Sequence, residues 1–204
     1  MSTAIARGKP RVSESAHSSD LPAWAMPLSP EAYYRLGELG LIPEKTQLIE
    51  GMVVHTMPKS PLHVFLVQFL KDTLTKILPE SFITRQESPI HLGRSEPEPD
   101  IAIVKGSVND FIASHPTSAE IVFEVIVTTN ELDEKKKQIY ANSGIPILVH
   151  LFPKENRFEI LSEPADGEYR MIQKRNWDEE VVVKLNNISH KIGLPVLNEH
   201  LSSD

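Results

Sequence analysis

A seven-residue run, Ile121-Val-Phe-Glu-Val-Ile-Val127, constrains this chain more than any other stretch. Side chains alternate between the two faces of a strand, and here both faces are apolar, so the run reads as an interior strand covered on both sides. Glu124 stands in the middle of it. A lone carboxylate in such a place costs several kcal/mol, roughly, unless it is paired or bound to a cation. A second apolar run, Ile101-Ala-Ile-Val104, is opened by Asp100 and preceded by Glu96-Pro-Glu98-Pro. If the two strands are neighbours, two carboxylates meet, and like charges at that range need a cation between them. Magnesium suits such a site, because it binds through one or two carboxylates, water and substrate phosphate.

The segment after the glutamate strand reads as a helix over about 131–143, ending at Ser143-Gly144-Ile-Pro146. Leu132, Ile139 and Tyr140 define its inward stripe. At the helical angle per residue, Lys136 falls about 20° from the centre of that stripe, Lys135 about 80° and Lys137 about 120°. An inward lysine needs an anionic partner, so Lys136 is the candidate that meets the metal-bound water or the scissile phosphate. The alternative is that all three lysines form a solvated face.

The remaining chain supplies a core and two more helices. Ser29-Pro30-Glu31 starts a helix that carries Tyr33, Leu36 and Leu39 inward and ends near Gly37–Gly40. Leu48–His55 reads as a hairpin turning at Glu50-Gly51. A longer helix begins around Lys59–His63, buries Leu62, Leu66, Phe69, Leu70, Leu74 and Ile77, and stops at Pro79. Strands are expected at 81–85, 88–92, 100–104 and 120–127. A meander follows at 147–152, 157–161, 169–174 and 181–183. From Ile192 to Leu201 a loop and short helix are expected. Helices interleaved with mostly antiparallel strands make an α/β or α+β layer fold. Glu50 reads either as an exposed hairpin carboxylate or as part of the acidic site. His63, at the head of an apolar helix, is either a capping or half-buried side chain or a neighbour of that site.

With 204 residues and 40% hydrophobic content, one globular domain over 28–204 is expected, behind a flexible polar tail at 1–27 that carries Arg7, Lys9 and Arg11. The formal charge of −7 gives no general basic footprint for nucleic acid. The absence of cysteine excludes disulfides and thiolate zinc sites. His55, His91 and His150 show no ligand spacing and H-E-x-x-H is absent, so zinc is not expected. No apolar run approaches a membrane span, and no signal-like segment opens the chain, so a cytoplasmic protein is the expectation.

Several of these segments occur together in one known family. Gln47-Leu-Ile-Glu-Gly-Met-Val53, Met57-Pro-Lys-Ser-Pro-Leu-His63, Glu98-Pro-Asp-Ile-Ala-Ile-Val104, Phe123-Glu-Val-Ile126, Lys136 with Tyr140, Gly144-Ile-Pro146 and Gly193-Leu-Pro stand in its order and cover about 27–201. The chain therefore resembles the Uma-two family of restriction-endonuclease-like proteins, within the PD-(D/E)xK nuclease superfamily. The resemblance implies a restriction-endonuclease-like core, a mixed, mostly antiparallel sheet flanked by helices. It matches Asp100 to the Pro-Asp aspartate, Glu124 to the glutamate of the second half-motif and Glu50 to the glutamate of the first hairpin. Ile126 occupies the place where the plain superfamily motif has its lysine, as in variants that take the lysine from the next helix. The family tends to have an aspartate four residues before that lysine. Here Leu132 stands there and Asp133 is one residue off, and a one-residue shift would make Lys137 the family lysine.

The expectation is a Mg²⁺-dependent endonuclease, with Mn²⁺ as the other candidate ion. Asp100 and Glu124, with the backbone carbonyl of Val125, would hold the metal. Lys136 would position water or stabilise developing charge, and Glu50 would complete the shell. Weak, salt-dependent DNA binding is expected, with Arg85, Arg94 and Lys135–Lys137 as a local basic rim, and the family resemblance suggests a homodimer. The alternative is a catalytically inactive module of the same fold that binds a partner.

Overall fold

The computed structural model of the chain describes residues 25–196. Within them the elements run α1 (Pro30–Glu38), β1 (Thr46–Ile49), β2 (Met52–His55), α2 (Pro61–Ile77), β3 (Phe82–Gln86), β4 (Ile101–Lys105), β5 (Ile121–Val125), α3 (Glu131–Asn142), β6 (Ile147–Phe152), β7 (Arg157–Ala165), β8 (Glu168–Asn176), β9 (Val181–Leu185) and β10 (Ile188–Ile192). Short 3₁₀ turns occupy Val108–Phe111 and Pro153–Glu155. Six strands form one sheet in the order β3-β4-β5-β6-β7-β8. Only the β5–β6 pair in it is parallel. A parallel pair needs a crossover, and α3 is that crossover. The hairpins β1–β2 and β9–β10 stand apart as two-stranded ribbons.

The sheet is covered on both faces, which explains the unbroken apolar runs of β4 and β5. Ile101, Ile103, Ile121, Phe123 and Val125 pack with α2 residues Leu66, Val67, Leu70 and Leu74 and with the β9–β10 ribbon. Their alternates, Ala102, Val104 and Val122, pack on the other side with Ile139 and Tyr140 of α3 and Ile49 of β1. Each large side chain buried this way contributes about 1.5–3 kcal/mol relative to exposure. Ser60 caps α2, its hydroxyl accepting from the His63 N–H at 3.2 Å, with Pro61 in the first turn. No helix among the described residues is long and apolar enough to cross a membrane.

Several local expectations need correction. Leu39 is 54% exposed, because α1 ends at Glu38 and Leu39 already lies past the last turn. Residues 88–92 form no strand. Glu87 takes a positive φ of 47°, which turns the chain off the β3 line, and Pro89 has no N–H to give a ladder. β7 runs on to Ala165, so the turn falls at Asp166-Gly167. β10 was not anticipated. It is set by Asn186-Asn187, both at positive φ (50° and 64°), which closes a tight hairpin with β9. Most of the expected tail and the end of the last stretch lie outside the described residues. Of the tail's final residues, Pro27 sits against Gly51, and the neighbouring Leu28 N–H donates to the Gly51 carbonyl at 2.9 Å.

Candidate active site

Register brings the two acids together. β4 and β5 are antiparallel neighbours with Ile101 opposite Phe123, so the next position outward sets Asp100 beside Glu124. The Asp100 N–H lies 3.4 Å from Glu124 Oε2, and the Val125 N–H donates to Asp100 Oδ2 at 2.7 Å. The carbonyl of an extended residue points to the same side as its N–H, so the Val125 carbonyl also faces β4. Both carboxylates are only 8% exposed.

α3 delivers the cation. Asn130 caps it, accepting from the N–H groups of Leu132 and Asp133, and the Asp133 carboxylate answers by accepting from the Asn130 N–H at 3.0 Å. That capping box fixes where the helix starts and therefore which lysine faces inward. Lys136 is 7% exposed, with Nζ 2.6 Å from Glu124 Oε1 and 3.1 Å from the Glu98 carbonyl. Tyr140, one turn on along the same face, donates to the same Glu124 oxygen at 2.7 Å. Lys137 pairs instead with Glu134 on its own helix. Lys135 reaches Glu50 Oε2 at 2.7 Å. The three lysines thus divide among three acids and do not form a solvated face.

Glu50 sits on the β1–β2 turn, where Glu50 (φ 50°) and Gly51 (φ 82°) are both left-handed. A Cβ at Gly51 would meet Pro27 Cβ at 2.4 Å, so only glycine fits. The Glu50 N–H donates to Ser95 Oγ at 2.8 Å. Its carboxylate is tied to α3 through Lys135, next to Lys136 in sequence.

Electrostatics follow from burial and these partners. Burial works against the Asp100 charge, yet the His63 hydrogen bond, the charges of His63 and Lys136 and the Val125 N–H outweigh it and hold the carboxyl below its ordinary range. Burial disfavours the Lys136 ammonium, but the charges of Glu124 and Asp100 more than offset this, so Lys136 stays protonated. Burial pushes Glu124 up and Asp100 adds to that, against the pull of Lys136 and Tyr140. Burial and Glu124 together hold Tyr140 well above its ordinary value, so it remains a hydrogen-bond donor.

The structure adds a second group beside Asp100. His63 Nε2 lies 3.0 Å from Asp100 Oδ1. Glu87, at its positive φ, donates its N–H to the Pro99 and Asp100 carbonyls, and its carboxylate pairs with Lys59 Nζ at 2.5 Å. One ligand atom from each of His63, Glu87 and Asp100 lies within 4.8 Å of the others. Glu87 had no motif of its own. Only the β3–β4 register, with Gln86 opposite Ile101, brings it level with Asp100. A groove of about 440 Å³ runs from Glu87 along edge strand β3, lined by Lys71, Ile83, Thr84, Arg85, Gln86, Ser88 and Val108.

The sheet order, with a single parallel pair bridged by α3 and an acidic edge beside it, places this domain in the restriction-endonuclease-like α/β class. The chain matches the Uma2 family, described as "Putative restriction endonuclease", over residues 30–191, and it belongs to that family. Among solved structures it is similar to a protein from Anabaena variabilis titled a "putative nuclease belonging to DUF820", with a TM-score of 0.60 at 12% identity over 78% of this chain and 89% of that one. No curated protein matches it.

Proposed function

We propose that this chain is a divalent-metal-dependent phosphodiesterase that hydrolyses DNA. The observation that carries the reading is the convergence of Asp100, Glu124 and Lys136 at the mouth of β4 and β5. Two buried carboxylates meet there, Glu124 paired with the Lys136 ammonium and Asp100 with the His63 imidazole, and close carboxylates of this kind favour a cation between them. The donor set of two carboxylates and the Val125 carbonyl fits a hard divalent ion such as Mg²⁺. An ion held there would supply charge to the phosphate and acidity to the attacking water.

The chain's own residues account for the rest. Lys136 keeps its proton, so it acts as a positive charge and N–H donor toward a phosphate oxygen or the attacking water, and not as a base. Tyr140 holds the Glu124 carboxylate in orientation. Lys135 and Glu50 brace the β1–β2 turn against α3. The groove along β3 supports a path for the phosphodiester backbone, since Lys71, Thr84, Arg85, Gln86 and Ser88 offer cations and donors in a chain that is otherwise acidic.

The test is calorimetric titration of Mg²⁺ into wild type and Asp100→Asn, with plasmid nicking on the same samples. Asp100→Asn is expected to lose metal binding and to lower nicking by at least about a hundredfold. Equal nicking by both proteins would overturn the assignment. Metal binding without nicking would redirect the search to other phosphodiesters, and no binding at all would favour a partner-binding module.

A further inference from the structure

We propose that edge strand β8 is the surface through which two copies of this chain join, pairing antiparallel about a two-fold axis at Met171. The proposal is independent of the nuclease reading, because β8 closes the sheet at the end away from the Asp100–Glu124 mouth, three strands beyond β5.

An edge strand presents a row of unpaired N–H and carbonyl groups, and proteins ordinarily blunt it with short length, charge, proline, a bulge or a cover. The two edges of this sheet differ in that respect. β3 is five residues long, none of them exposed, and the chain leaves its line at Glu87. β8 is nine residues long, contains no proline or glycine, and is exposed everywhere but at Tyr169. Met171 and Ile172, at 43% and 50% exposure, stand in its middle. Among the described residues no strand pairs with its outer side. The cations that would guard such an edge are already matched. Arg170 pairs with Asp166 at 3.3 Å, Lys174 with Glu159 at 3.3 Å and Arg175 with Glu179 at 3.7 Å.

Charge favours a second copy as the occupant and sets its register. Residues opposite each other across an antiparallel pair share a face, so a symmetric pairing is centred on one residue. Three centres keep at least seven of the nine β8 residues paired: Met171, Ile172 and Gln173. Ile172 as centre sets Arg170 opposite Lys174, a like-charge pair, on both sides of the axis. Gln173 as centre sets Met171 opposite Arg175 and Ile172 opposite Lys174, and no acid meets a cation. Met171 as centre brings the two Met171 side chains together and sets Glu168 opposite Lys174 at both ends. In that register the six-stranded sheets of the two copies continue into one.

The experiment is sedimentation equilibrium of the full chain over a range of concentrations, on wild type, Met171→Lys, Glu168→Lys, Lys174→Glu and the double variant Glu168→Lys with Lys174→Glu. Circular dichroism confirms that each is folded. Wild type is expected to dimerise. Met171→Lys sets like charges on the axis and should weaken the dimer by at least about tenfold, and each single charge reversal should also weaken it. The double reversal should restore it, which a merely structural role for either residue would not produce. The chain has no cysteine, so single cysteine substitutions read the register separately. Met171→Cys should cross-link on mild oxidation, because the residue faces its own copy. Gln173→Cys should not, because its two copies would lie four residues apart along the strands, about 13 Å. A monomer at every concentration would overturn the proposal and leave the edge to another occupant. A dimer indifferent to Met171→Lys and to the charge reversals would move the interface elsewhere and overturn it too. Cleavage of DNA, present or absent, bears on neither outcome.

Discussion

Lys136 is a buried ammonium with one carboxylate at 2.6 Å, and its removal strands that carboxylate in the core. Breaking a buried pair from one side costs about 3–5 kcal/mol, because the remaining charge is left uncompensated. Lys136→Met is expected to lose stability of that order in urea denaturation. Adding Glu124→Gln should restore much of it, since the orphaned charge is then gone. Lys137→Met should cost no more than about 1 kcal/mol, because its partner Glu134 is on the same helix and more than half exposed. Equal losses for the two lysines would contradict the buried pairing of Lys136 and reopen Lys137 as the inward lysine.

At the scale of elements, α3 governs the site through its first turn. The sequence has Leu132 where the family tends to have an aspartate, with Asp133 one place on. In the folded chain Asp133 is the N3 residue of a capping box with Asn130. Its carboxylate therefore has a defined structural partner, and the helix phase that carries Lys136 inward is set there. Asn130→Ala removes the acceptor for two N–H groups and is expected to cost about 1–2 kcal/mol by chemical denaturation. An unchanged midpoint would mean that the cap does not set the helix. The strands show a parallel division. The glutamate run was recognisable as an interior strand because both of its faces are apolar. β10 was not recognised, because its outer face is polar and only the Asn186-Asn187 turn marks it.

Across the whole molecule, burial couples stability to pH through His150. Burial drives its pKa from 6.5 to about 3, with Lys137, Lys136 and Arg157 adding to the effect. The unfolded chain takes up a proton below about pH 6.5 that the folded chain refuses, so this stability is present above 6.5 and is lost as pH falls toward 3. The loss runs at about 1.4 kcal/mol per pH unit, or roughly 2–3 kcal/mol over two units. The difference in stability between wild type and His150→Gln should therefore shrink on acidification from about pH 6.5 to about pH 4.5. A difference that stays constant with pH would refute the buried neutral imidazole.

The sequence by itself determined the central elements and the acids Asp100 and Glu124 that they carry. Period and burial marked β4, β5 and the face of α2, and helix angle singled out Lys136, because these are local properties of neighbouring residues. It also determined that Glu124 could not stand alone, since no apolar strand tolerates an unpaired carboxylate. Tertiary structure alone decided which strands were neighbours. Whether Asp100 meets Glu124 depends on β4 pairing with β5 in one register, and pairing is a long-range choice that the chain's local pattern leaves open. Glu87 reached Asp100 for the same reason, through the register of β3. His63 arrived from a helix 37 positions earlier in the chain, where it packs against the end of the same strand. The spacing of residues along one element can be read from the chain, but the meeting of side chains from separate elements is fixed only when the core closes around them.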